Sequence, residues 1–186
     1  MTAPKKILYM LPLLLLMAGI AAASSMPYEQ QDLRGYIRLF PLHWVEQIAG
    51  MISFTYSSGT VSIEEKGTAG FIEFFIRKGT HFVIYFGMAV LGYVALKPYR
   101  WTKCWKLTVA FALVAVFAVI DEIRHFYHPD RTGLWQDVVL DMTGGLCGIL
   151  FILFWGTRLN KKKTTGGSLK KKAVFRYINR AGEGKD

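Results

Sequence analysis

The chain reads as an all-α, polytopic membrane helix bundle with four transmembrane helices, and three observations predict it. Hydrophobic residues make up 52% of the 186 and aromatics 15%, the composition of a small multi-span membrane protein rather than a soluble domain. The apolar residues gather in four runs of near-spanning length, about 7–24, 78–96, 105–126 and 134–156. The net charge of +10 lies beside those runs, in a loop at 97–106 and in the tail after Trp155. Basic residues flanking apolar spans orient a protein and meet anionic lipid headgroups. Nucleic acid is therefore not an expected partner.

The first run follows Lys5 and Lys6 and ends in Ala21-Ala22-Ala23-Ser24. A secretory signal and a retained first helix both fit that grammar. The retained helix is the reading adopted, and either way the residues after Ser24 begin outside the cytoplasm. Residues 26–67 hold no spanning run. The stretches 33–40 and 44–49 mix apolar and polar residues at helical spacing, broken by Pro41. They are expected to form short amphipathic helices on the outer membrane surface, with an irregular loop as the alternative. Gly59 and the residues 64–67 mark a wet connection.

Pro98 helps to end the second span, and the loop after it carries four basic residues and no acid. The tail, 159–186, is basic, broken by Gly166-Gly167-Ser168, and expected to be mostly disordered. Loop and tail are separated by two spans, so the positive-inside rule places both, and Lys5 and Lys6, in the cytoplasm. Both termini are then inside, and the amphipathic segment between the first two helices is extracellular. Residues 1–158 form the transmembrane domain in this reading. Cys104 and Cys147 fall in a basic loop and an apolar run and are not expected to pair.

Depth singles out a site. Residues 107–120 form a 14-residue run before Asp121, and counting back from Trp155 reaches Asp141 after a run of equal length. The second span offers only 82–96 beyond His81. At ~1.5 Å per residue, such a run covers roughly 21 Å of a core about 30 Å thick. Three helices therefore turn polar at one height, below the outer surface. Lys78, His81 and Tyr85 share one face of the second helix, Asp121 and His125 one face of the third, and Asp137 and Asp141 one face of the fourth. Gly144 and Gly148 continue that last face as a close-packing pair, within one chain or between chains.

Charges at this depth default to a functional site, and mutual pairing lowers their cost. Lys78, His81, Asp121 and Glu122 are the candidates for catalysis. Tyr85, His125, Arg131, Asp137 and Asp141 are the candidates for the surrounding polar site. Asp137, close to the surface, also fits a plain packing pair, and Arg124 a snorkelling side chain. His81, His125, Asp121 and Glu122 include metal-ligand types, but no dense motif such as HExxH occurs and nearby cations favour ion pairs, so no metal and no other cofactor is expected.

Three segments resemble the VanZ-like family of small bacterial membrane proteins. They are Ser24-Ser25 with the residues 27–31, Arg77-Lys78-Gly79-Thr80-His81-Phe82 with Tyr85 and Gly87, and Asp121-Glu122 with Phe126, Pro129, Arg131, Asp137 and Gly144 to Gly148. The resemblance covers about 8–155. His125 stands where Gln is common and Asp141 where Asn is common. It implies a retained first helix and a multi-pass cell-membrane protein linked to low-level resistance to teicoplanin-type glycopeptides. The expected partners are the bilayer and a lipid-linked cell-wall component or the lipoglycopeptide, and the basic tail, outside the resemblance, is expected to meet anionic headgroups. No reaction is settled by it. A membrane enzyme on a lipid-linked envelope substrate and a non-catalytic assembly protein are the rival readings, and the oligomeric state stays open.

Overall fold

The computed structural model describes residues 3–57, 59–127 and 134–155. Four helices are long and apolar enough to cross a membrane: α1 (Ala3–Ser24), α4 (Ile63–Ala95), α5 (Lys103–Tyr127) and α6 (Trp135–Trp155). Between the first two lie a 3₁₀ turn (Tyr28–Gln31), the short helices α2 (Arg34–Ile37) and α3 (His43–Ala49), and a hairpin of β1 (Ser53–Tyr56) with β2 (Gly59–Ser62). Two compact units divide the chain, Met1–Ile149 and Leu150–Asp186. In the second, the described residues are the closing turns of α6, where Phe151 stacks on Trp155 at 5.5 Å. The tail at 159–186 and the corner holding His128 and Arg131 lie outside the described residues.

The mostly helical architecture matches the sequence, but two expectations need correction. The chain is not wholly α. β1 and β2 pair antiparallel with Tyr56 opposite Gly59, built from Phe54, Thr55, Tyr56, Thr60 and Val61, residue types that favour strands. Ser57 takes a positive φ of 58° in the turn, where the chain must reverse within two residues. The helix that carries the second span also starts well before residue 78. Residues 64–67, read as a wet connection, are the opening turn of α4. The Ser62 side chain accepts from the Glu65 N–H, an N-cap with a glutamate three residues on. Gly67, at φ 67°, kinks the helix there in backbone territory that favours glycine.

α4 and α5 pack through small residues. A Cβ on Gly92 would touch Ala110 at 3.4 Å, and Met88, Ala89, Val114 and Ala118 are fully enclosed. Thr102 caps α5, accepting from the Trp105 N–H at 3.3 Å. The hairpin has its own small core, where Val45, Ala49, Val61 and Phe71 are buried against Tyr56 and Phe74. Tyr36, Leu39, Phe40, Trp44 and Ile48 on and beside α2 and α3 remain exposed.

α2 starts on an ion pair. Arg34 donates from its backbone N–H and Nε to Asp32 at 2.8 and 2.9 Å. The hydrogen bonds from the Arg34 side chain and backbone hold the Asp32 carboxyl at about 2, below its ordinary 3.8. The folded-state value is the depressed one, so the contribution of this pair is present above pH ~4 and lost as pH falls through about 2. A carboxyl-carbon NMR titration should find Asp32 still ionised at pH 3. In Arg34→Gln the midpoint should return toward the ordinary value.

Candidate functional site

The two helix faces picked out by spacing meet. α4 and α6 run parallel, so steps of three and four residues stay in register. The Lys78 Nζ stands 2.5 Å from Asp137 Oδ1, and one turn on His81 Nδ1 stands 3.3 Å from Asp141 Oδ1. Another turn on, a Cβ on Gly144 would strike the Phe82 carbonyl, and one on Gly148 would come within 2.6 Å of the Phe86 oxygen. The Gly144–Gly148 face therefore packs within the chain, on α4 backbone, where only glycine leaves room.

α1 and α5 supply the other half. The Ser24 hydroxyl, at the last turn of α1, donates to Asp121 Oδ1, and the Tyr85 hydroxyl stands 3.5 Å from Oδ2. Asp121 and Tyr85 are almost fully enclosed, at 2% and 1% exposure, so hydroxyl donors replace the water the carboxylate lost. The His81 ring lies 6.4 Å from the Tyr85 ring and 6.3 Å from the His125 ring. Ser24, Tyr85, His81, Asp141, Asp121 and His125 thus form one polar layer across four helices.

Asp141 is the least satisfied member. The His81 nitrogen is near enough for an ion pair but is not aligned as a hydrogen bond, so among the described residues neither Asp141 oxygen has a hydrogen-bond donor. A carboxylate buried in this way is costly and is held in place by the surrounding packing.

Other expected members are placed differently. Glu122 is buried in a junction, accepting from the Leu134 N–H with His125 Nδ1 at 3.4 Å, so it ties the start of α6 to α5. Arg124, expected to snorkel, instead donates to the Ala21 carbonyl at 2.9 Å and to the Ser25 hydroxyl, clipping α1 to α5. Arg131 lies outside the described residues. No three His, Cys, Asp or Glu side chains converge as metal ligands among the described residues.

Two contributors were not singled out from sequence. Tyr56, on the hairpin, donates to Asp137 at 2.5 Å, and Lys78 Nζ sits 4.7 Å above its ring. Burial first, and then the bond to Asp137, push the Tyr56 hydroxyl well above its ordinary range, so it remains a donor. Glu73, 5% exposed, faces Arg34 Nε at 3.6 Å and Arg77 Nη2 at 3.7 Å. The Glu73–Arg77 spacing of four residues on one helix was the available signal.

A cavity of about 420 Å³ opens beside the polar layer. Ile20, Ala23, Ile76 and Ile84 line it together with Ser24, His81, Tyr85, Asp121 and His125. That volume lies in the ordinary range for small-molecule pockets.

Four apolar spans and a polar layer shared among them define a multi-pass membrane protein with a candidate binding site at one end of its bundle. The chain belongs to the VanZ/LLP1 family, whose model matches residues 9–156. No curated protein and no solved structure matches it.

Proposed function

We propose that this chain is a plasma-membrane protein of the bacterial envelope that lowers sensitivity to teicoplanin-type glycopeptides through its polar layer. In this reading both termini are cytoplasmic, the basic tail meets anionic headgroups, and the layer faces outward at headgroup depth. The observation that carries it is the buried Ser24–Asp121–Tyr85 cluster opening onto a cavity whose surface is mostly apolar in a VanZ/LLP1 chain. Such a place suits the lipid-like part of a cell-wall precursor or of a lipoglycopeptide. The exposed apolar residues of α2 and α3 support the placement of this end at a membrane surface.

The test compares teicoplanin and vancomycin susceptibility in a Gram-positive host expressing the chain or Asp121→Asn at equal levels. Protection against teicoplanin alone, lost in the variant, is the expected result. Equal protection by both forms would separate the activity from the polar layer. Absence of protection by either would leave only the family fold.

One observation favours an enzyme as the second reading. His81 pairs with Asp141, and His125 with Glu122, beside the same cavity, and imidazole–carboxylate pairs suit general acid–base work. Turnover of an envelope lipid, lost in His81→Ala, supports it, and no turnover across a broad lipid panel removes it.

A further inference from the structure

Asp121 stands apart from the other buried acids. Of the four buried carboxylates among the described residues, Glu73 faces Arg77 at 3.7 Å, Glu122 faces His125 at 3.4 Å and Asp141 faces His81 at 3.3 Å. Among them Asp121 alone has no cation within ion-pair distance. Arg124, one turn on along α5, is directed to the Ala21 carbonyl and the Ser25 hydroxyl instead. Ser24 takes Asp121 Oδ1, and the Tyr85 hydroxyl stands 3.5 Å from Oδ2, beyond the ~2.5–3.0 Å of a closed O–H···O bond. Oδ2 is therefore weakly held, and a carboxylate taken out of water without an opposite charge is expensive.

That carboxylate lines the cavity of about 420 Å³. Met26 and Ile76, also in the lining, are 46% and 42% exposed, so a ligand can enter from outside the bundle. The charges of the lining leave Asp121 over. Arg77 is answered by Glu73, and both line the cavity. His81 and His125 each face a carboxylate of their own, Asp141 and Glu122, neither of which is in the lining. An anion would meet the surplus negative charge. A metal ion would lack its ligands, since no three suitable side chains converge among the described residues. Ser24 and Tyr85 turn their protons toward Asp121, so their oxygens keep lone pairs. With Asp121 Oδ2 they make three acceptors, the number of donors on a primary ammonium.

We propose that this cavity binds the primary ammonium of an amphiphile, with the nitrogen on Asp121 and the hydrocarbon chain along Ile20, Ala23, Ile76 and Ile84. The inference deepens the reading above and rests on it for the role of the cavity, whose ligand it names by class. A short amine would leave the aliphatic residues uncovered, whereas a chain buries them. An alcohol would offer one donor and no charge against the carboxylate. A quaternary ammonium would bring the charge and no donor.

The test titrates the purified full-length chain in non-ionic detergent at neutral pH, following heat, with dodecylamine, dodecanol, dodecyltrimethylammonium and ethylamine. Dodecylamine should bind tightest. Asp121→Asn should weaken it about ten-fold, the loss of one charge-assisted contact, and leave dodecanol as it was. Ile76→Trp, which narrows the cavity at an exposed position, should weaken every long-chain ligand, and Lys97→Gln should change nothing. Dodecanol binding as tightly as dodecylamine would overturn the charge, and dodecyltrimethylammonium binding as tightly would overturn the primary amine. Ethylamine binding as tightly would overturn the amphiphile. Unchanged dodecylamine affinity in Asp121→Asn or in Ile76→Trp would overturn the site. If Asp121→Asn fails to fold, the ligand series on the parent and the Ile76→Trp variant decide the matter. Binding without glycopeptide protection would retire the function proposed above and leave this site standing, whereas protection without binding would do the reverse.

Discussion

Gly144→Val is expected to cost roughly 3 kcal/mol, the upper range for overpacking a tight interface, because the atoms it strikes are main chain. The Phe82 carbonyl oxygen, carbonyl carbon and Cα all crowd the place where the new Cβ would stand. A side chain can rotate away, but α4 backbone moves only with its whole helix. Gly148→Ala meets the Phe86 oxygen at 2.6 Å and should be nearly as damaging. Gly145→Ala should be milder despite a 2.5 Å approach, since its obstacle is the Val114 side chain. Gly87→Ala provides the control. Nothing lies within 4 Å of its Cβ position, and alanine favours a helix over glycine by about 1 kcal/mol. Thermal unfolding of the four variants in detergent should rank Gly87→Ala at or above the parent and Gly144→Val lowest. A Gly144→Val protein as stable as the parent would mean that α6 does not rest on α4 in this register.

Much of that register was legible in the sequence. Apolar run length converts directly into depth, so Asp121, His81 and Asp141 could be assigned one height. Helical spacing then fixed Lys78, His81 and Tyr85 on one face and Asp137, Asp141, Gly144 and Gly148 on another. Parallel helices bring such faces together turn by turn, as Lys78–Asp137 and His81–Asp141 illustrate. Most of the unread parts depend on chain folded between α1 and α4. β1 and β2 have only four residues each, too short for a two-residue period to stand out from helical spacing, and no Asn-Gly or Asp-Gly marks their turn. Glu73 meets Arg34 across an irregular stretch, where neither period nor depth sets the distance. Glu122 and Arg124 were visible as charges, but whether a charge at a helix end faces water or a neighbouring backbone depends on where the next chain segment passes. Here the segments are Leu134 and Ala21.

Lys78→Met should destabilise the protein by about 3 kcal/mol, the low end for breaking a buried ion pair. The low end applies because the side chains retain 18% and 13% exposure. The loss arises on the surviving partner. Among the described residues Asp137 would keep the Tyr56 hydroxyl, a neutral donor in place of a cation, while its own desolvation remained. Lys78 would also leave the Tyr56 face, 4.7 Å away, a contact worth roughly 0.5–1 kcal/mol at a partly exposed site. The double variant Lys78→Met with Asp137→Leu removes both charges and should recover most of the stability, since an apolar pair of similar volume is often neutral or better. A loss in the double variant equal to the sum of the losses in Lys78→Met and Asp137→Leu alone would show that the two charges are not coupled. The double variant also separates function from assembly. If the pair only fastens α4 to α6, a stable double variant should protect against teicoplanin as well as the parent does. If Lys78 takes part in binding, the double variant should reach the membrane at parental levels, unfold at the parental temperature and give no protection.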